Sequence, residues 1–232
     1  MNTAHLNETK PTFLDHLQAF LTRFRTVLLI ILISVAVAAV ALFVILEVRS
    51  SQTETALARV EELQESYGEW LTLPETDQSE EYEALSAEIQ AILGDYQRGY
   101  ARQRTLFIQA QVLEKLERWD ESREVYLEVA ASSAESYLAP ISITLAAVAS
   151  ENAGQPEQAL EILTDLIDAY DSDVSEIPRA LFSVGRINES LGNIADAAAS
   201  YRRLIDEHPG SSWTNLARAR IITLTVQGRI GS

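Results

Sequence analysis

The chain has 232 residues and a formal net charge of −16, and it contains no cysteine. The lack of cysteine excludes disulfide bonds, thiolate metal sites, a cysteine nucleophile and a lipid-modified cysteine anchor. Nine glycines and six prolines are few for an all-β fold, which needs many turns. The negative charge argues against broad binding to nucleic acid or anionic lipid, because both need a basic face.

The first 26 residues are predicted to include a short amphipathic helix. Pro11 precedes Thr12 and Asp15, which resemble a capping box. Apolar side chains then recur at helical spacing at Phe13, Leu17, Phe20, Leu21 and Phe24. This face either lies at a membrane interface or extends the next helix, and a role in partner binding is an equal alternative.

An uncharged apolar run follows from Val27 to Leu46, with Ser34 as its one polar residue. Twenty helical residues at ~1.5 Å each span the roughly 30 Å hydrocarbon core of a bilayer. A buried core helix is the alternative, but such helices rarely run this long without a polar face. A cleaved signal peptide would have a shorter apolar region that ends in small residues. We therefore predict a transmembrane helix over 27–48, retained as an uncleaved signal anchor.

The orientation of this helix is predicted from the basic residues that flank it. Lys10, Arg23 and Arg25 precede the run, whereas Arg49 and Arg59 follow it. Basic residues are enriched on the cytoplasmic side of a membrane. The bias therefore favours a cytoplasmic N-terminus and an exported C-terminal domain.

A repeated pattern organises the second half of the chain. Three windows can be aligned, and they cover 103–136, 140–173 and 178–211. Each has small residues where two helices would cross and large residues where the next repeat would dock. A turn glycine stands at Gly154 and at Gly192, whereas Glu117 takes the equivalent place in the first window. Pro209 ends the second helix of the third window.

These windows resemble tetratricopeptide repeats, which are helix–turn–helix units of about 34 residues. The third window resembles the repeat most closely, and together the windows cover about half of the chain. The resemblance implies an all-α fold, in which one N-terminal transmembrane helix is followed by a tetratricopeptide-type α-solenoid over 99–211.

Helical segments flank the repeats on both sides. Residues 51–98 are predicted to form two helices, which are either a degenerate repeat, an N-terminal cap of the array or a stalk. Residues 212–228 are predicted to form a capping helix that begins at Ser211-Ser212. Arg218, Arg220 and Gln227 are expected to give that helix a polar side.

No catalytic or metal-binding pattern is found, and we predict no enzyme activity, no cofactor and no small-molecule substrate. Two of the three histidines, His5 and His16, precede the predicted span, whereas His208 lies at a helix end. A phosphate-binding glycine loop, a zinc-protease motif and a nucleophile elbow are all missing. An acidic loop around Asp171 lacks the central glycine of a calcium loop, so a solvated loop is favoured.

The resemblance implies that the first helix of each repeat lines a groove. The groove candidates are Arg104, Phe107, Gln111, Thr144, Val148, Arg179, Phe182 and Arg186, with Ile141 and the glutamates Glu114, Glu151 and Glu189 beside them. Such a strip suits an extended or helical peptide with apolar side chains, and its arginines suit carboxylates or carbonyls. Inter-repeat packing is an equal alternative for Phe107 and Phe182.

The order of the segments resembles the ancillary subunit family of the bacterial SecYEG translocon. That resemblance implies a scaffold in the inner membrane, with its repeats in the periplasm, that contacts the translocon, chaperones or secreted substrates. The alternative is a structural subunit of a larger envelope assembly for secretion or motility. The lipid bilayer, through the anchor helix, and other proteins are the expected partners, and nucleic acid is not.

Overall fold

The computed structural model describes residues 54–231 together with residues 26, 30, 33–35 and 40. The chain divides into two compact units, Met1–Thr55 and Ala56–Ser232. In the first unit the described positions before 41 are helical and exposed. The predicted amphipathic segment and most of the predicted transmembrane helix lie outside the described residues. Within the described residues, no helix combines the length and the apolar character needed to cross a bilayer.

Residues 54–231 form helices joined by short turns, and no strand occurs in this range. The helices are α1 (54–72), α2 (Glu75–Asp95), α3 (Tyr100–Lys115), α4 (Trp119–Ser132), α5 (Leu138–Asn152), α6 (Pro156–Ala169), α7 (Ile177–Ser190), α8 (Ile194–Glu207) and α9 (Ser212–Val226). The predicted all-α fold is confirmed for this part of the chain.

Successive helices pack on one another along the array. The pairs α3–α4, α5–α6 and α7–α8 are the helix–turn–helix units, and each begins slightly before its predicted window. Their first residues are Tyr100, Leu138 and Ile177. In each pair we call α3, α5 and α7 the first helices, and α4, α6 and α8 the second helices.

The turns inside the three pairs have the same geometry. Gly154 and Gly192 adopt positive φ values of 74° and 84°, and Glu117 adopts 57°. The residue after each of them donates its backbone N–H to the carbonyl five residues earlier, at 2.8–2.9 Å. This pattern closes a helix with a left-handed residue, where glycine is favoured. Glu117 therefore does occupy the turn position that glycine fills in the other two repeats.

One apolar core runs from α3 to α9. Tyr126 and Tyr201, from the second helices of the first and third repeats, are almost completely buried. Ala197 is fully buried, and Gly185 lies against the Tyr201 ring. Small side chains at these positions let neighbouring helices approach closely, which is how a stack of helix pairs closes its interior.

Helices α1 and α2 share a second core with α3. Leu63 and Trp70 of α1 pack with Ile89 of α2 and Ile108 of α3. The Trp70 indole Nε1 donates a hydrogen bond to the backbone carbonyl of Gln78 at 2.9 Å, which satisfies its buried N–H. These two helices therefore pack directly onto the first repeat.

Helix α9 begins as the sequence predicts but exposes a different surface. Ser211 caps it, since its hydroxyl accepts a hydrogen bond from the Trp213 N–H at 3.3 Å. Arg218 and Gln227 are exposed and Arg220 is partly exposed, but Leu216, Ile222 and Val226 are also 49%, 62% and 82% exposed. The reason is that α9 is apolar on more than one face, so packing one face on the array leaves another apolar face outward.

Candidate functional site

The predicted groove positions all lie on the three first helices, and the structure divides them into open and buried groups. Arg186 is exposed, whereas five others are partly exposed, namely Arg104, Gln111, Val148, Arg179 and Phe182. We call the surface formed by these six residues and by Glu114, Glu151 and Glu189 the first-helix face.

Two of the predicted positions do not line an open surface. Phe107 is 8% exposed, and its ring meets the Tyr126 ring edge-on at a centroid distance of 5.7 Å. Thr144 is 1% exposed, and its hydroxyl donates to the Pro140 carbonyl at 3.0 Å. Phe107 fills space between two helices, and Thr144 bonds back to its own helix, so both belong to the interior.

Each of the three arginines on this face has a partner within the chain. Arg104 donates from Nη2 to the Gln64 side-chain oxygen at 2.6 Å. Arg179 lies 3.6 Å from a carboxylate oxygen of Glu176, and Arg186 donates to Glu151 at 2.6 Å. A peptide carboxylate would therefore have to compete with existing partners for these guanidinium groups.

Two ion pairs connect successive elements along the face. The pair Glu151–Arg186 joins α5 to α7, and Glu189–Arg220 joins α7 to α9. The hydrogen bond from Arg220 lowers the pKa of the Glu189 carboxyl below its ordinary value. The hydrogen bond to Glu151 raises the pKa of Arg186. Partly exposed pairs of this kind contribute about 0.2–1 kcal/mol each.

The first repeat lacks the equivalent pair. Glu114 corresponds to Glu151 and Glu189, but Val148 stands on α5 where α7 carries Arg186. Glu114 instead accepts a hydrogen bond from the Tyr126 hydroxyl at 2.7 Å. The pKa of Tyr126 is raised, first by burial and then by this carboxylate.

The third repeat has the same tyrosine–carboxylate contact. The Tyr201 hydroxyl donates to Glu189 at 3.2 Å. Burial, with the neighbouring Glu189 charge, raises the pKa of Tyr201 to about 12. Tyr201 is therefore neutral over the physiological range, and it holds the Glu189 carboxylate beside Arg220.

Two open clefts lie on the first-helix face. One of about 430 Å³ is lined by Tyr67, Leu71, Gln111, Glu114, Lys115, Glu117 and Trp119. The other, of about 380 Å³, is lined by Phe182, Arg186, Glu189, Ser190, Tyr201 and Arg220. Each cleft combines aromatic rings with charged groups, so it can hold an apolar side chain and hydrogen-bond the adjoining backbone.

The sequence analysis missed several residues of these clefts. Tyr67 comes from α1 and Trp119 from the start of α4, while Arg220 comes from α9. A signal for the ion pairs was present, because 35 residues separate Glu151 from Arg186, which is close to one repeat length. No comparable regularity connects Tyr67 with the first repeat.

The described residues contain no group of three or more histidine, aspartate or glutamate side chains placed to hold a metal ion. His5 and His16 lie outside the described residues, and His208 ends α8.

Comparison with known proteins agrees with this architecture. Residues 145–212, from the middle of α5 to the start of α9, match the model of a tetratricopeptide repeat family. Over 110 residues the chain is 34% identical to a "TPR repeat-containing protein" of Treponema pallidum (strain Nichols). That alignment covers 47% of this chain and 45% of the relative, so the chain spans about half the length of the relative it matches. Both matches support tetratricopeptide repeats in this chain.

Proposed function

We propose that this protein is a non-catalytic, membrane-anchored scaffold whose tetratricopeptide repeats bind peptide segments of other proteins. Proteins built from these repeats generally mediate protein–protein interaction through one face of the array. The observation that carries the proposal is the pair of open clefts on the first-helix face, each lined by aromatic and charged side chains.

The clefts favour a peptide that brings apolar side chains. Phe182, packed on the buried Tyr201, presents ring surface in one cleft, and Leu71 and Trp119 present apolar surface in the other. The ion pairs fix the polar rim before a peptide arrives, which lowers the entropy cost of binding. Affinity then comes from aromatic contacts in the clefts, whereas the charged rim selects among peptides.

The anchor is proposed from the apolar run between Val27 and Leu46. Four aliphatic residues of this run, Ile30, Ile33, Val35 and Val40, are helical and each about 60% exposed. A helix of this composition would bury those side chains in lipid. The excess of basic residues before the run favours an N-terminus in the cytoplasm and repeats in the periplasm.

The partners proposed for this location are the translocon, periplasmic chaperones or emerging secreted substrates. A tether at the membrane raises the local concentration of such partners, so that weak contacts in the clefts suffice. A fixed subunit of a larger envelope assembly is the second candidate. The exposed apolar face of α9 favours it, because permanent interfaces are more apolar than transient ones.

Capture of partners in intact cells tests the proposal. Cells carrying the full chain are treated with a crosslinker, the chain is purified in mild detergent, and captured proteins are quantified by mass spectrometry. The double variant Arg179→Glu/Arg186→Glu should lose most captured protein. Its helical circular dichroism should be unchanged, since each exposed pair contributes only about 0.2–1 kcal/mol.

Two further variants sharpen this experiment. Arg202→Glu reverses an exposed charge on the second helix α8 and should leave capture unchanged. The swap Glu151→Arg/Arg186→Glu keeps an ion pair but exchanges its ends, so reduced capture would show that the position of the charge matters. Full capture by the Arg179→Glu/Arg186→Glu variant would place the binding site elsewhere.

The anchor has its own test. The full chain should stay in the membrane pellet after extraction with alkaline carbonate and should be released by detergent. A reporter that is active only in the periplasm, fused after residue 232, should be active. Release by carbonate alone would contradict the anchor, and an inactive reporter would contradict the orientation.

A further inference from the structure

Helix α9 packs on α7 and α8 through one side only. Its buried residues are Thr214, Ala217 and Leu224. At about 100° per residue, Leu216, Ile222 and Val226 fall on the opposite side, where they form an apolar stripe over roughly three turns. We call this stripe the outer face of α9, and among the described residues no helix covers it.

The outer face has the form of a helix-packing surface. Counting the exposed Ala219, its apolar side chains follow one another at spacings of three, three and four residues, and the polar Asn215 and Thr223 lie among them. A second helix can pack its side chains beside such a row, as neighbouring helices of this array pack on one another. An occupant with an apolar stripe along one helical face therefore fits it.

The charge around the outer face indicates which kind of helix fits. Residues 212–231 contain three arginines and no acidic residue, whereas residues 54–211 contain 31 acidic and 11 basic residues. Arg220 is engaged by Glu189. Arg218, four residues before Ile222 and therefore beside it on the helix, is exposed and has no ion-pair partner in the described part of the chain. Arg229 approaches Glu189 only to 4.0 Å.

These charges disfavour a second copy of α9 as the occupant. Two α9 helices packed about a two-fold axis would bring Arg218 and Arg229 of both copies to one interface. The segment holds no carboxylate to neutralise them, and like charges across an interface weaken it. An acidic helix would be attracted instead, because its carboxylates would pair with the exposed guanidinium groups.

We infer that the outer face of α9 docks an acidic amphipathic helix of a partner protein. The apolar stripe of that helix packs on Leu216, Ile222 and Val226, and its flanking carboxylates meet Arg218 and Arg229. The outer face of α9 and the first-helix face are formed by different side chains, so the protein has two separate binding surfaces.

Two synthetic helical peptides with the same leucine stripe serve as probes. One carries glutamate on the flanks of the stripe, and the other carries lysine at the same positions. Each is labelled with a fluorophore, and its anisotropy is measured against the full chain in lipid nanodiscs. The glutamate peptide should bind at least about tenfold more tightly than the lysine peptide, with a difference that shrinks as salt is raised.

Matched variants locate the binding. Ile222→Asp/Val226→Asp should weaken binding of the glutamate peptide by about tenfold or more, because two buried aliphatic contacts are lost. Leu57→Asp/Leu127→Asp changes two apolar residues that are 41% and 37% exposed on α1 and α4, outside both proposed surfaces, and should have no effect. Arg186→Glu, on the first-helix face, should also leave this binding unchanged.

Several results would overturn the inference. Equal binding of the two peptides would show that charge does not select the partner. Unchanged binding of the glutamate peptide to the Ile222→Asp/Val226→Asp variant would place the site elsewhere. Light scattering provides the remaining check. If the chain self-associates and Ile222→Asp/Val226→Asp abolishes that association, a second copy covers this face and the inference is wrong.

Discussion

Replacing Gly185 by alanine tests the closest helix contact in the third repeat. A methyl group at Gly185 would lie 2.4 Å from Cε1 and 2.7 Å from Cδ1 of the Tyr201 ring. Carbon atoms in favourable contact are about 3.5–4.0 Å apart. Tyr201 is fully buried, and its hydroxyl bonds to Glu189, so the ring cannot swing into free space.

The size of the effect follows from two opposing contributions. Alanine is favoured over glycine inside a helix by about 1 kcal/mol. Overpacking costs about 1–3 kcal/mol, and loss of the Tyr201 hydrogen bond costs roughly 0.5–1.5 kcal/mol more. The first repeat has Ala110 and Tyr126 at the equivalent positions, so the array tolerates an alanine beside a tyrosine. The low half of the summed range of free energies therefore applies. We expect a net destabilisation of about 0.5–2 kcal/mol, or a melting temperature lower by roughly 1–8 °C.

Thermal melting of the full chain in mild detergent, followed by circular dichroism, measures this difference. Gly68→Ala in α1 is the matched control, because a methyl group there meets nothing within 4 Å. It should leave the melting temperature unchanged or raise it. A Gly185→Ala protein that melts as high as Gly68→Ala would refute the close contact with Tyr201.

Four other substitutions test the turns, the packing and the pH dependence. Glu117→Gly places glycine at a turn position with positive φ and should stabilise the chain by about 1 kcal/mol in thermal melts. Gly192→Glu makes the reverse change and should destabilise it by a similar amount. Ala197→Leu adds volume to a fully buried site and should cost about 1–3 kcal/mol in urea unfolding, so a more stable variant would contradict the assigned packing. The pKa of Tyr201 is raised to about 12, above the ordinary value of about 10. Its contribution to stability is therefore complete below pH ~10 and is lost as pH rises toward 12. The free energy of unfolding of Tyr201→Phe should fall less steeply over that pH interval. An unchanged dependence on alkaline pH would contradict a buried neutral hydroxyl.

The helix pairs could be predicted because their signals are local and repeated. Gly154 and Gly192 mark turns that need positive φ, and the aligned spacing then shows that Glu117 stands at a third turn. Ala197 and Gly185 are small because helices cross there. Such patterns recur along the chain, so they are visible without knowledge of tertiary contacts.

The candidate site was less accessible to sequence reasoning. Six of the eight predicted positions are exposed or partly exposed, but Thr144 and Phe107 turn inward, since a rotation of a few tens of degrees about a helix decides whether a side chain is open or buried. The partner of Arg104 is Gln64, forty residues earlier on α1. That contact depends on how α1 packs against the first repeat, which no repeat pattern predicts.

The outer face of α9 shows a different limit. A terminal helix of a solenoid is expected to be polar outside, and its arginines are the residues expected to supply that polarity. One of them, Arg220, instead turns toward Glu189 on the array. The apolar residues Leu216, Ile222 and Val226 remain outside, because α9 carries more apolar residues than one packed face can bury.

Site-specific photo-crosslinking in intact cells tests the central claim most directly. A photoreactive amino acid is placed on the first-helix face, at Gln111, Val148 or Arg186, and separately at Glu161 or Asp165, which are exposed on the second helix α6. Crosslinks to other polypeptides should form from the three positions on the first helices and be absent from the two on α6. Crosslinks from α6 alone, or equally from both sets, would contradict a binding surface built from the first helices.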